Sequence, residues 1–208
     1  MEILLIHGSP NPKGTTYAAL QEIASALHSE GIGTKLLSIG SKPYSGCLGC
    51  GRCRKTNRCV LPDAERINEL LDLARAADGI IVGSPVYYAS PNGALLSVLD
   101  SAFYAGSDAF AYKPCAAVVC ARRAGCTASV DVLNKYFTKS DALLVGSQYW
   151  NMVFGANAQD ATLDLEGLQT MRRLAANMAW ILRCLDAGKR AGIPLPVSEV
   201  PLRTNFIR

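Results

Sequence analysis

The 208 residues carry a formal net charge of +4; half are hydrophobic and 18% are charged. That balance excludes a disordered chain and, because the cations are scattered, a dedicated nucleic-acid binder. No apolar run approaches the roughly 18 residues that read as a membrane span, and "MEILLIHGSP", acidic at its second position, is unlike a signal peptide. A cytoplasmic protein is expected, so its eight cysteines stay reduced and cofactor or metal chemistry is favoured over a disulfide framework.

"EILLIHG" (Glu2–Gly8) predicts a buried first strand ending at a glycine turn. "TTYAALQEIASALHSEG" follows with apolar residues at helical spacing and Gly31 where a helix C-cap would sit. "GTKLLSIG" predicts a second strand, and a cysteine-rich loop over residues 44–62 comes after it. "DAERINELLDLARAAD" predicts the second helix, with Asp63 as N-cap and Arg66 on an exposed face. "GIIVGSP" (Gly79–Pro85) is the third strand and "NGALLSVLDSAFY" the third helix. "PCAAVVCA", "TASVDVLNKYFTKS" and "DALLVGS" are the fourth strand, fourth helix and fifth strand, and "LEGLQTMRRLAANMAWILRCLDAG" a long closing helix.

Strand–helix alternation with short connections implies an α/β three-layer sandwich, a parallel sheet with helices on both faces. Five such strands fit the order 2-1-3-4-5, whose crevice lies between strands 1 and 3 at their carboxyl ends. The expected domain covers residues 1–187, and residues 188–208, with three prolines, form an extended arm.

The loops leaving strands 1, 3 and 4 should therefore build the site. "HGSPNPKGTT" places the polar groups of Ser9, Asn11, Thr15 and Thr16, with Lys13, at a helix N-terminus, where orphan N–H groups and the helix dipole attract an anion. It is neither a Walker A loop nor G-x-G-x-x-G, which leaves a terminal phosphate monoester. Across the crevice, Pro85, Val86, Tyr87 and Tyr88 offer flat apolar groups for a planar ligand. After strand 4, Arg122, Arg123, Ala124 and Gly125 approach the same ligand. A phosphate at one end and a flat ring at the other describe FMN.

"GCLGCGRCRKTNRC" carries Cys47, Cys50, Cys53 and Cys59 in the spacing C-x2-C-x2-C-x5-C. Gly46, Gly49 and Gly51 loosen the backbone, and Arg52, Arg54, Lys55 and Arg58 interleave with the thiols. A [4Fe–4S] cluster, a structural zinc and metal-free thiols are all compatible with this pattern. Cys115, Cys120 and Cys184 read as small core hydrophobes. The two histidines, His7 and His28, suggest no catalytic pair, and His7 reads as a satisfied structural residue.

"GSPNPKGTTYAAL", "CLGCGRCRKTNRC", "GSPVYYASPNGALLSVLD", "ARRAGCTASVDVLNKYF" and "SQYWNMVFG" together resemble the flavodoxin-like NADPH-dependent FMN reductase family, iron–sulfur flavoprotein branch. The resemblance implies that Ser9, Asn11, Lys13, Thr15 and Thr16 hold the FMN phosphate, that Pro85 to Tyr88 frame the isoalloxazine, and that Arg122 to Gly125 lie at its other edge. It implies a [4Fe–4S] cluster on Cys47, Cys50, Cys53 and Cys59. Relatives carry two glycines after "RRA"; here Cys126 replaces the second. The expected activity is an FMN-dependent oxidoreductase taking electrons from NAD(P)H and passing them to an acceptor, with no catalytic side chain because the flavin does the chemistry. The alternative is an electron-transfer flavoprotein reduced by ferredoxin without NAD(P)H turnover. A homodimer or tetramer is expected, joined through the arm and the loop Tyr149–Gly155.

Overall fold

Seven strands appear in a computed structural model that describes residues 1–197, 199, 200, 202 and 204. They are β1 (Glu2–His7), β2 (Gly33–Ser38), β3 (Gly79–Tyr87), β4 (Ser90–Pro91), β5 (Pro114–Ala121), β6 (Leu143–Leu144) and β7 (Met152–Phe154). The helices are α1 (Thr15–Ser29), α2 (Glu65–Ala76), α3 (Gly93–Gly106), α4 (Cys126–Thr138), α5 (Ala158–Leu163) and α6 (Leu165–Arg190). The sheet runs β2-β1-β3-β5-β6, with all neighbours parallel. This is the doubly wound order expected from the strand–helix alternation.

Alternation along the strands decides the layers. Leu4 and Ile6 of β1 join Ile80 and Val82 of β3 and Cys115, Ala117 and Val119 of β5 beneath α2, α3 and α4. Ile3, Leu5, Ile81, Ala116 and Val118 point the other way, into the layer built by α1, α5 and α6. Both faces are covered, which is why β5 is buried at every position and reads as a continuous apolar run.

The expected fifth strand is corrected in detail. Only Leu143 and Leu144 pair there, opposite Pro114 and Cys115; Met152–Phe154 then pair the far half of β5, opposite Val119–Ala121. Between them the Ser147 hydroxyl bonds the Tyr149 carbonyl and Asn151 Oδ1, each at 2.7 Å, and Asn151 Nδ2 returns to the Ala117 carbonyl at 3.0 Å. These local polar bonds replace ladder bonds, so the chain leaves the edge and rejoins it. The extra β4 is the return limb of a hairpin on β3.

Two boundaries also differ. Helix α2 begins at Glu65 with Ala64 at its cap; the Asp63 carboxylate instead accepts the Ser45 N–H at 2.7 Å, tying down the start of the cysteine loop. Arg66 is half-buried and pairs with Glu69 at 2.6 Å. Helix α6 runs to Arg190 and closes through Gly192 at φ +73 to +77 territory shared with Gly31: φ is +77 at Gly192 and +73 at Gly31. The arm thus starts after residue 192, not at 188; its positions 198, 201, 203 and 205–208 lie outside the described residues.

Candidate functional site

The crevice at the carboxyl ends of β1, β3 and β5 holds about 280 Å³. Its first wall is Ser9, Asn11, Gly14, Thr15 and Thr16, its second Pro85, Val86 and Tyr87, its third Cys120, Ala121 and Arg122, and its fourth Gly155 and Ala156. The first wall is shaped by its own side chains. Ser9 Oγ accepts the Asn11 N–H at 3.1 Å, and Asn11 Oδ1 accepts the Lys13 N–H at 3.2 Å. Thr15 donates its hydroxyl to the Gly155 carbonyl at 3.1 Å, fastening the first wall to the fourth.

The start of α1, like those of α2 and α4, has no side-chain cap, and it is the one whose first-turn residues line the crevice. Helices α3, α5 and α6 are capped by Asn92, Asn157 and Asp164. At α1 the cap position is Gly14, no side chain accepts from the first turn, and no acidic residue lies in that turn. Unanswered N–H groups and the positive end of the helix dipole therefore meet the crevice between buried Ser9, Thr15 and Thr16. A phosphate monoester fits this wall.

The second wall is a strained hairpin. Val86 pairs with Pro91 and Tyr87 with Ser90, leaving Tyr88 and Ala89 at the turn with φ of +51° and +58°. Two left-handed residues are what a two-residue turn of the mirror-image type requires, and neither is glycine, so the turn is held by its surroundings. Gly125, at φ +87°, supplies part of that hold. A Cβ there would lie 2.7 Å from Ala89 Cα and 3.1 Å from Val86 Cγ1. The close approach expected near the "RRAGC" stretch belongs to Gly125; Cys126 is the first residue of α4 and is buried in the core.

The structure brings Ser9, Asn11, Thr15, Thr16, Pro85, Val86, Tyr87 and Arg122 onto one crevice. Lys13, Tyr88, Arg123, Ala124 and Gly125 do not line it; Tyr88 is fully exposed at 106%. Gly14, Cys120, Ala121, Gly155 and Ala156 were missed. The fourth wall carried a signal: "MVFG" is an apolar run ending in glycine, like the end of β1. Cys120 is buried, as expected of a core residue, yet also faces the crevice; burial pushes its thiol up to about 12, so it is a neutral wall and not a nucleophile. Cys115 is buried, whereas Cys184 is exposed on α6 and not a core residue. His7 is also corrected. It is buried, its Nδ1 lies 3.4 Å from Ser38 Oγ, but its Nε2 has no partner, and burial lowers its pKa.

Cys47, Cys50, Cys53 and Cys59 line one small hollow closed by apolar Leu48, Val60, Leu61 and Ala105. Gly49 and Gly51 take φ of +61° and +70°, the left-handed turns that fold the loop onto itself. Cys53 is buried with its thiol raised, first by burial and also by the other three cysteines, and its Sγ contacts the Tyr104 carbonyl at 3.8 Å. Of the interleaved cations, Arg58 is bound bidentately by Asp72 at 2.6 and 3.1 Å, while Arg52, Arg54 and Lys55 are exposed. An all-thiol donor set around one hollow suits iron–sulfur or zinc chemistry. Among the described residues, however, no group of three or more His, Cys, Asp or Glu is gathered closely enough to hold a metal ion.

The family profile described as NADPH-dependent FMN reductase matches residues 1–157. An iron-sulfur flavoprotein of Methanocaldococcus jannaschii is 28% identical over 196 residues, spanning 89% of this chain and 99% of its own. One from Methanosarcina thermophila is 25% identical over 194 residues, with 91% and 99% covered. Among solved structures, a flavodoxin, WrbA-like protein from Agrobacterium tumefaciens superposes with a TM-score of 0.61 at 15% identity, covering 88% of this chain and 98% of its own, and so shares the flavodoxin-like fold. The chain is an oxidoreductase of the NADPH-dependent FMN reductase family.

Proposed function

We propose that the chain binds FMN in the crevice, takes electrons from NAD(P)H and passes them to an acceptor. The observation that carries this reading is the uncapped start of α1 facing, across about 280 Å³, the apolar wall Pro85–Tyr87. Ser9, Asn11, Thr15 and Thr16 would receive the phosphate through hydroxyl, amide and backbone donors, with Lys13 adding charge from outside the wall. Pro85, Val86 and Tyr87 would hold the ring flat, and the Arg122 cation would favour reduction by offsetting the negative charge of the reduced ring. Bound FMN supplies hydride acceptance and electron release; the protein supplies grip, orientation and a dry wall at Cys120 and Ala121. The cysteine loop would hold a [4Fe–4S] cluster on Cys47, Cys50, Cys53 and Cys59, which would supply one-electron chemistry when bound. The iron–sulfur flavoprotein names of the two full-length relatives support that assignment.

The exposed Arg52, Arg54 and Lys55 beside the cysteines favour a second reading, in which an acidic electron carrier such as ferredoxin reduces the protein and NAD(P)H does not. No helix of the described residues is long and apolar enough to cross a membrane, and eight free thiols suit the cytoplasm. A homodimer or tetramer would use exposed Tyr149, Trp150 and Phe154 together with the arm, where Ile193, Leu195, Val197, Val200 and Leu202 are exposed. Purified protein should show flavin bands and near-stoichiometric FMN. It should oxidise NADPH faster than a Thr15→Ala/Thr16→Ala double variant. Colourless protein that binds no added FMN would overturn the proposal, and rapid reduction by ferredoxin without NADPH oxidation would select the second reading.

A further inference from the structure

A second concavity, about 400 Å³, lies between α3 and α4 and shares no residue with the crevice. Its size falls within the range of small-molecule sites, roughly 300–1,000 Å³. The walls are aromatic. Phe103 is fixed by stacking on Phe110 with ring centroids 3.9 Å apart, and Tyr136 leans on Phe103 at 5.2 Å. Tyr104 completes the α3 side.

Charge at the rim is mainly cationic. Lys135 in the last turn of α4 and Lys139 at its C-cap both line the groove, and neither has a carboxylate within salt-bridge distance among the described residues. Arg54 adds a third cation through its 3.4 Å bond to the Tyr104 hydroxyl. The one acid in the groove, Asp100, already accepts the Tyr136 hydroxyl at 2.5 Å. Flat walls ask for a ring, and free ammonium groups ask for an anion.

We propose that the α3–α4 groove is a binding site for a planar aromatic carboxylate, separate from the crevice. Its location gives it a route to the cysteine loop: Tyr104 lines both the groove and the cysteine hollow, and its carbonyl meets Cys53 Sγ. The proposal stands whether or not the crevice holds FMN.

The test is calorimetry and hydrogen exchange of the intact protein, saturated with FMN, using 2-naphthoate as probe. Saturable binding of one probe per chain is expected, with added protection confined to residues 100–104 and 132–140. Neutral 2-naphthamide, and naphthoate on a Lys135→Ala/Lys139→Ala variant, should each bind about fivefold or more weakly, the scale of losing exposed charge pairs. Equal affinity for the amide, no saturable binding, or protection at residues 8–16 and 119–123 would overturn the site. So would protection of 132–140 that rises with protein concentration in the absence of probe, since a second copy would then cover the groove.

Discussion

Asn92 and Gly8, 84 positions apart in sequence, are joined by a 2.7 Å hydrogen bond from Asn92 Nδ2 to the Gly8 carbonyl. The same buried asparagine caps α3 through Oδ1 to the Ala94 N–H at 3.1 Å, and its own N–H donates to Ser84 Oγ at 3.0 Å. One residue, through its side chain and its backbone N–H, thus knots the exit of β1 and the hairpin on β3, which lead into two of the crevice walls, to the start of α3. Asn92→Ala removes a cap and leaves a buried carbonyl unanswered, so a loss of about 2–4 kcal/mol in urea unfolding is expected. FMN retention should fall with it. Asn92→Asp keeps the cap and loses only the donor to Gly8, and should fall between. A cost below about 0.5 kcal/mol for the alanine variant would show that the knot carries little.

Gly125 tests the second wall from the opposite side. Alanine there meets a left-handed φ of +87° and a contact of 2.7 Å to Ala89 Cα, backbone that cannot swing aside. Gly125→Ala should destabilise the fold by about 1–3 kcal/mol and shift the Tyr87–Ser90 hairpin, weakening FMN binding measured by fluorescence titration. Unchanged affinity would mean that the hairpin is positioned without Gly125.

Much of this was legible in the sequence because a parallel sheet buried on both faces leaves unbroken apolar runs, and "EILLIH", "GIIVGSP" and "PCAAVVCA" are such runs. The first crevice wall was legible because donors of the same kind crowd one turn, Ser9 to Thr16. What stayed hidden depends on contacts between distant segments. The Thr15–Gly155 bond spans 140 positions and, together with the pairing of β7 on β5 and the Gly155 N–H to the Ala121 carbonyl, places the fourth wall at the crevice. Tyr88 lay in the right stretch, yet the mirror-image turn that leaves it exposed depends on the β3–β4 pairing and on the close approach of Gly125 to Ala89. Asp63 had the chemistry of a helix cap and was claimed by Ser45, a partner in a loop with no periodicity to read.

His7 predicts how stability follows pH. Burial depresses its pKa below the ordinary 6.5. Between the unfolded and the folded values the unfolded chain binds more protons, so the contribution of the neutral imidazole is fully present above about 6.5 and is lost as pH falls toward the folded value. The urea midpoint should therefore drop from pH 7 to pH 5, and His7→Gln, which cannot be protonated, should flatten that drop. A parallel decline in both proteins would assign the acid sensitivity to other groups.

The cysteine hollow and the crevice have no lining residue in common, so their occupants should be separable. Anaerobically purified protein is expected to hold about four iron and four sulfide per chain, the content of one cube. Serine at Cys47, Cys50 or Cys59 should remove most of the iron and sulfide while FMN stays near stoichiometric, because Cys47 and Cys50 are exposed, Cys59 only borders the core, and none of the three lines the crevice. Cys53 differs, being buried in the core cluster beside Tyr104. Cys53→Ser should cost stability as well as metal, by about 1–2 kcal/mol for a hydroxyl placed where a thiol packed. Flavin lost together with iron in all four variants would mean that the loop shapes the crevice after all. Zinc, or no metal in the parent protein, would end the cluster reading and leave the crevice as the sole redox centre.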